Sequence, residues 1–420
     1  MKKRWLILVL AFLLAGCSSE TIIQRGDGTD THPNRNMPLP TVEEIWGGIS
    51  GENDPSEPVN TRENVFRSGD SLYFWWGGDH WYEIGDTEAR SLCRDPLCTH
   101  STDACLNVMA KQTNAVWRVG NDLYFMAETK NSPCRSFVRF SLDTSETKVL
   151  AHPTEADMLG GELVGRLGNY IYFSYRRELE KDEMTFEVHQ VPEFYRYHIP
   201  SGETVFLYEG SRGEEMLQAT GKDSELWYRN TSYTLMRADA NLSEKTKVSD
   251  AKMQTFALVG EDVFYLTRFS TGESGEIRRL DLSTGKDELL YENATWFAYD
   301  GGTLYYALYD PVESFVRDRR DPETGKMKEA PIIATNGNKI YTVPADEAGQ
   351  GGEPVTALDS LVSDGWSLST TFTVTGGVFI GGARHLIEQN GTRGFAYAEW
   401  AVDLTEGTAF EIMRDEVYGQ

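Results

Sequence analysis

The sequence predicts an all-β protein, a seven-bladed β-propeller of four-stranded blades, and three observations predict it. A short phrase, a turn residue or two followed by an apolar-aromatic strand, recurs seven times: Gly69–Phe74, Gly120–Phe125, Gly168–Phe173, Asp223–Tyr228, Gly260–Tyr265, Gly301–Tyr306 and Gly376–Ile380. Such self-similarity at roughly 40–50 residues marks a β-rich repeat architecture. Between equivalent apolar residues (Leu72, Leu123, Ile171, Leu226, Val263, Leu304, Val378) the spacings are 51, 48, 55, 37, 41 and 74. Unequal intervals exclude a solenoid of constant pitch and suit a propeller, whose loops lengthen without disturbing the blades. The third observation is a recurring second half of the repeats: an alternating strand, a Gly- or Asp-containing turn and a closing strand.

The fifth repeat is the clearest. Lys252–Val259 alternates as an inner strand, Asp262–Thr267 gives the second, Glu276–Leu282 the third, and Glu288–Tyr291 the fourth after the turn Ser283–Lys286. The third repeat ends as Phe194–Ile199, a turn at Pro200–Glu203, then Thr204–Tyr208; the second as Phe137–Asp143 before Thr147–Leu150; the seventh as Glu399–Leu404 before Ala409–Met413. The wide last spacing places an insertion over 309–338 in blade six. It contains Arg317-Asp318-Arg319-Arg320-Asp321-Pro322 and is expected to project as a long hairpin or loop. The "Leu-Tyr-Phe" strand and the "Leu-Asp-Leu-x-Thr-Gly" turn resemble TolB-like and related propellers over residues 61–415. That resemblance implies the fold and no activity.

The first sixteen residues read as a secretory signal peptide. Met1-Lys2-Lys3-Arg4 is basic, Trp5 to Leu14 is apolar, and the run is too short to span a bilayer. Leu14-Ala15-Gly16-Cys17 resembles the bacterial lipobox, which implies cleavage before Cys17 and lipid on its thiol. The expected location is the outer face of the bacterial cytoplasmic membrane, or the outer membrane if the source is Gram-negative. Residues 17–60 then form a lipidated cysteine and a polar, Gly/Pro-rich tether, with the patch Val42–Trp46 a candidate to dock on the body. The formal charge is −25, and −28 once the basic leader is gone. This surface excludes nucleic acid as a partner and leaves the lipid as the only membrane contact.

One compact chemical constellation lies between blades one and two: Cys93, Cys98, His100 and Cys105, with Cys134 further on. Three thiolates and an imidazole could close one tetrahedral structural zinc site. In an oxidising compartment the same cysteines could pair as two disulfides, for example Cys93–Cys98 and Cys105–Cys134, or stay as thiols. The Cys-x4-Cys-x-His stretch resembles uncharacterised propeller lipoproteins of Gram-positive bacteria. No cofactor is expected, the alternative being that one structural zinc.

Other candidate ligand-binding residues are Trp75, Trp76, Asp79, His80 and Trp81, an aromatic group around a Gly-Gly turn suited to a sugar ring or a protein partner. The competing reading is that Trp75 and Trp81 simply pack between blades. Arg176, Arg384 and His385 follow second strands, so they could share a rim with Asp79 and His80. No Gly-x-Ser-x-Gly, His-Glu-x-x-His, phosphate loop or EF-hand loop occurs, and no catalytic residue is selected. The expected role is a monomeric, non-enzymatic binding or assembly module for an envelope protein or glycan. The alternative is an envelope polysaccharide- or peptide-processing enzyme with its site at the propeller funnel.

Overall fold

The structure is a computed structural model that describes residues 21–23, 36–48, 65–68, 71–76, 80–84, 89–91, 93, 116–128, 134–153, 157–181, 188–267, 274–309, 312–320, 324, 326–334, 339–389 and 392–418. The chain folds as an all-β propeller. Its strands pair, in chain order, as seven antiparallel four-stranded meanders, which we number blades 1 to 7.

Blade 1 comprises Val65–Ser68, Ser71–Trp76, His80–Ile84 and Ala89–Ser91. Blade 2 comprises Val116–Val119, Asp122–Glu128, Arg135–Ser141 and Thr147–Pro153, and blade 3 comprises Met158–Leu167, Tyr170–Lys181, Val188–His198 and Glu203–Glu209. Blades 4, 5 and 6 are hydrogen-bonded into one continuous sheet, because two strands pass from one blade to the next. Lys245–Val259 pairs with Thr234–Asp239 of blade 4 through its first half and with Asp262–Thr267 of blade 5 through its second. Asp287–Asp300 likewise leaves Gly275–Asp281 of blade 5 to pair with Thr303–Leu308 of blade 6. Blade 7 comprises Ser367–Thr375, Val378–Gln389, Thr392–Asp403 and Ala409–Tyr418. Its first and fourth strands touch the first and fourth strands of blade 1, which closes the ring. The first strands of blades 3 and 4, of blades 6 and 7 and of blades 7 and 1 meet one another, which places them innermost.

The turn chemistry that made the repeats legible holds each meander together. The Leu that opens the third-to-fourth turn, after Ser141, Asp281 or Asp403, donates its N–H to a carbonyl in the first-to-second turn. The bond is Leu142 to Asn121 in blade 2 and Leu282 to Glu261 in blade 5, both at 2.8–2.9 Å, and Leu404 to Gly377 in blade 7 at 2.9 Å. The Asp281 carboxylate accepts from the Ser283 and Thr284 amides at 2.8 and 3.0 Å, an Asx turn that explains why the motif needs Asp there. Aromatic side chains fill the spaces between blades: Phe137, Phe173, Tyr195 and Tyr197 stack between blades 2 and 3, and Phe194 on Tyr208 between blades 3 and 4.

Antiparallel meandering fixes two faces. First-to-second and third-to-fourth turns lie on one face, here the turn face. Second-to-third connections and the links between blades lie on the other. On this second face two blades rise as long ribbons. In blade 3 the pairing runs from Tyr170↔His198 to Lys181↔Val188, and in blade 7 from Val378↔Asp403 to Gln389↔Thr392. Blade 6 carries a separate hairpin, Val312–Arg320 with Met327–Ala334, between its second and third strands. Blades 4 and 5 have second strands of only six residues, half the length of those in blades 3 and 7. The long ribbons therefore reach about 20 Å higher.

Two described pieces of the segment 17–60 lie against the body, one of them the patch Val42–Trp46. Thr21–Ile23 adds a fifth, parallel strand to the outer edge of blade 2, opposite Ala151–Pro153. Residues 36–48 clasp the turn face of blades 3 and 4. Thr41 caps the helix Val42–Trp46 through a capping box with Glu44, and Ile45 is fully buried. The Ile45 carbonyl accepts from the Asn169 amide at 2.6 Å, Trp46 Nε1 donates to the Asp223 carbonyl at 2.6 Å, and Asn241 Nδ2 donates to the Met37 carbonyl at 2.8 Å. The polar composition of 17–60 pointed to a spacer; a few apolar residues and backbone groups suffice to dock a segment onto turns that offer unpaired partners.

Candidate functional site

The ribbon face is the candidate site, and its mouth is shaped by irregular innermost strands. The first strands of blades 3 to 6 each break register where they approach this face: between Leu159 and Glu162, Leu217 and Thr220, Met253 and Thr255, and Ala294 and Trp296. Blade 7 does the same between Leu368 and Phe372. Bulges re-aim side chains and end pairing at the rims of closed sheets. In blade 3 the break is Gly160-Gly161, both at positive φ, and a Cβ on Gly161 would lie 2.8 Å from the Met126 methyl. In blade 4 it is Gln218 that adopts φ 52°, and its amide donates to Thr255 Oγ1 at 2.9 Å across to blade 5.

Arg176 spans the junction of blades 3 and 4. Its Nη2 lies 3.4 Å from Glu162 Oε1 on the innermost strand and 3.0 Å from Glu215 Oε1 at the entry to blade 4. Beside it a half-open cavity of about 200 Å³ is lined by Arg176, Pro192, Arg212, Glu214 and Glu215. Below the cavity Lys245 Nζ meets both Tyr208 Oη and Glu214 Oε1 at 2.6 Å. Burial opposes ionisation of Glu214, but Lys245 and the Ser211 amide outweigh it and hold the carboxyl below its ordinary range. Burial also raises the Tyr208 phenol far above its ordinary range, so it stays protonated.

On the opposite side of the same blade Arg177 is buried. It pairs with Glu193 at 2.8 Å and with Glu209, while Tyr195 Oη donates to Glu193 Oε2 at 2.6 Å. The cavity side and the buried side share one feature: a single guanidinium is paired with two carboxylates. One carboxyl departs from this. Glu399, on the third strand of blade 7, is pushed up to about 8 by burial alone. It stands two strands out from the axis, opposite Gly382 and Met413, and so does not serve the mouth.

The sequence-predicted residues fall as follows. Arg176, Arg384 and His385 all sit on the ribbon side of their blades, but the hydrogen bonds do not join them. His385 Nδ1 meets the Gly365 carbonyl at 2.9 Å, with its ring against Trp366 at 5.5 Å, which holds it within blade 7. Strand pairing sets Trp75 opposite Trp81 and Trp76 opposite His80 at the ribbon-side end of blade 1; Asp79 lies outside the described residues. Cys17, Cys98, His100 and Cys105 also lie outside them, and so does the choice between zinc and disulfides. Cys93 and Cys134 are both half-buried, and Cys134 Sγ approaches the Arg135 carbonyl at 3.8 Å. Among the described residues no group of three His, Cys, Asp or Glu side chains could hold a metal. Sequence reasoning missed Glu162, Glu215, Arg212 and Gln218. Gly160-Gly161, two glycines interrupting a strand pattern, was the signal for the first of these.

No family model matches the chain, and no curated protein matches it. Among solved structures it is similar to an oligogalacturonate lyase in complex with manganese, at 12% identity and a TM-score of 0.45 over 84% of this chain and 89% of that one. A second oligogalacturonate lyase, from Vibrio parahaemolyticus, gives 10% identity and a TM-score of 0.47 over 84% and 92%. The β-propeller domain of the Trilobed protease from Pyrococcus furiosus gives 9% and 0.35 over 72% and 95%. At these scores the likenesses carry no argument about activity, and the propeller assignment rests on the strand pairing described above.

Proposed function

We propose that the protein is a lipid-anchored, extracytoplasmic binding or assembly module that engages an envelope protein or glycan through its ribbon face. The observation that carries this reading is the form of that face. The long ribbons of blades 3 and 7 and the hairpin of blade 6 belong to this face, and at its mouth the cation Arg176 is already paired with Glu162 and Glu215. A catalytic centre needs groups held in perturbed protonation states at one point; a docking face needs relief and satisfied polar groups. The cavity beside Arg176, at about 200 Å³, is smaller than the 300–1,000 Å³ typical of sites that enclose a whole ligand. It fits one sugar ring or one side chain of a larger partner.

The test is titration of the purified body with solubilised envelope glycan and with the crosslinked protein partner recovered from cells carrying a photoreactive residue at Leu179, an exposed position on the blade 3 ribbon. Binding should be lost on replacing residues 312–334 with a short Gly-Ser link and weakened by Arg176→Ala, with the far-UV spectrum unchanged. Binding indifferent to both changes would overturn the assignment of the face. A second reading, an enzyme acting on envelope polysaccharide or peptide, is favoured by one observation: Glu162 and Glu215 flank a single guanidinium at the mouth. Turnover of an envelope polymer abolished by Glu162→Gln would replace the binding reading with this one.

A further inference from the structure

We propose that the anchored propeller hangs edge-on, with the outer edge of blade 2 as its membrane-proximal surface and both faces open sideways into the envelope. The inference rests on the lipid anchor proposed above and adds to it a position on the ring. Thr21, Ile22 and Ile23 pair in parallel with Ala151, His152 and Pro153, the outer strand of blade 2. Cys17 precedes Thr21 by four residues, so it lies within about 14 Å of that strand whatever path the chain takes. A diacylated thiol on so short a leash brings blade 2 to the headgroups. Blades 5 and 6, across the ring, are held farthest away.

Charge agrees with this placement. The sequence has 65 acidic residues, and the outer strands of blades 3 to 7 each carry at least one: Glu203, Asp250, Asp287, Glu353 and Glu411. The outer strand of blade 2, Thr147–Pro153, and the added strand Thr21–Ile23 carry none, their only ionisable residues being Lys148 and His152. The outer strand of the adjoining blade 1, Ala89–Ser91, carries only Arg90, so the acid-free edge spans blades 1 and 2. An anionic leaflet repels carboxylates and tolerates this edge. The clasp of residues 36–48 on the turn face of blades 3 and 4 holds the segment that follows Cys17 on the body at a second place, through Ile45, Trp46 and Met37. The body is thereby oriented as well as tethered.

Two turns of the same type and on the same face give the test: Glu146 in blade 2 and Lys286 in blade 5, both exposed and both closing a third-to-fourth turn. A fluorescent noncanonical amino acid is placed at one or the other in full-length protein, which is expressed in a bacterial host, purified with its lipid and reconstituted in phosphatidylglycerol–phosphatidylethanolamine vesicles bearing quencher headgroups. Quenching should be severalfold stronger at position 146 than at 286. Insertion of twenty Gly-Ser residues after Ser18 should abolish the difference while leaving the protein on the vesicles. Equal quenching at both positions in fatty-acylated protein would overturn the edge-on placement alone. Protein that carries no fatty acid, or that Cys17→Ser does not release, would instead overturn the anchor reading.

Discussion

Arg177 shows what a single residue does here. Its guanidinium is buried between Glu193 and Glu209; Glu209 is partly exposed, but Glu193 is buried and would be left with the Tyr195 hydroxyl if the cation leaves. Arg177→Ala should therefore cost about 3–5 kcal/mol in urea unfolding, whereas removing exposed Arg237 from its pair with Glu225 should cost under about 1 kcal/mol. Glu399 behaves in the opposite sense. Its folded carboxyl is raised from 4.5 to about 8 by burial, so the fold prefers it protonated. That preference is fully present below about pH 4.5 and is lost as pH rises toward 8. Glu399→Gln should remove the loss. The variant's urea midpoint should exceed that of the parent by an amount growing through this window, on the order of 1–3 kcal/mol at its upper end. A constant difference across the window would show that Glu399 titrates as an ordinary carboxyl. Neither residue was legible in the sequence, because burial of a charge depends on neighbours 16 and 32 positions away for Arg177 and on the packing of a whole blade for Glu399.

At the scale of elements, the turns were legible, and of the additions the sequence marked that Val42–Trp46 could dock and that blade 6 carries an insertion, but not where the helix would dock. Asp281 and Asp403 each hold two amides of their own turn, so the local sequence alone dictates the shape. The helix Val42–Trp46 docks on residues more than 120 positions away, at Asn169 and Asp223, and no local pattern encodes that choice. Gly168 is where the two meet. It sits at φ 55°, and a Cβ there would lie 2.1 Å from the Ile45 carbonyl oxygen. Gly168→Ala should both strain the turn and push the helix away, costing about 1–3 kcal/mol. Ile45→Ala should cost about 2–5 kcal/mol by leaving a cavity between blades 3 and 4. Limited proteolysis should cut both variants within residues 36–48 well before the parent. Resistance equal to the parent's would mean that the clasp contributes nothing to holding the segment.

The whole molecule is a ring, and its stability as a unit depends on closure. Between the described blades 2 to 7, aromatic side chains are buried from one blade to the next, and an incomplete ring exposes two such faces and two sheet edges. Here closure is made by strands at opposite ends of the sequence, Val65–Ser68 with Ser367–Thr375 and Ala89–Ser91 with Ala409–Tyr418. The repeat phrases announced the number and order of the meanders, since each carries its own turns. They could not announce the height of the ribbons on one face, which arises where a second strand simply continues past the usual six residues. The proposed docking face and the edge-on anchor both presuppose the closed ring. The direct measurement is therefore to end the chain after Asp364, removing blade 7, and compare solubility and urea unfolding with the full body. The closed ring predicts an insoluble product, or one that unfolds without cooperativity. A soluble truncation that unfolds in a single cooperative step with its β spectrum intact would contradict it.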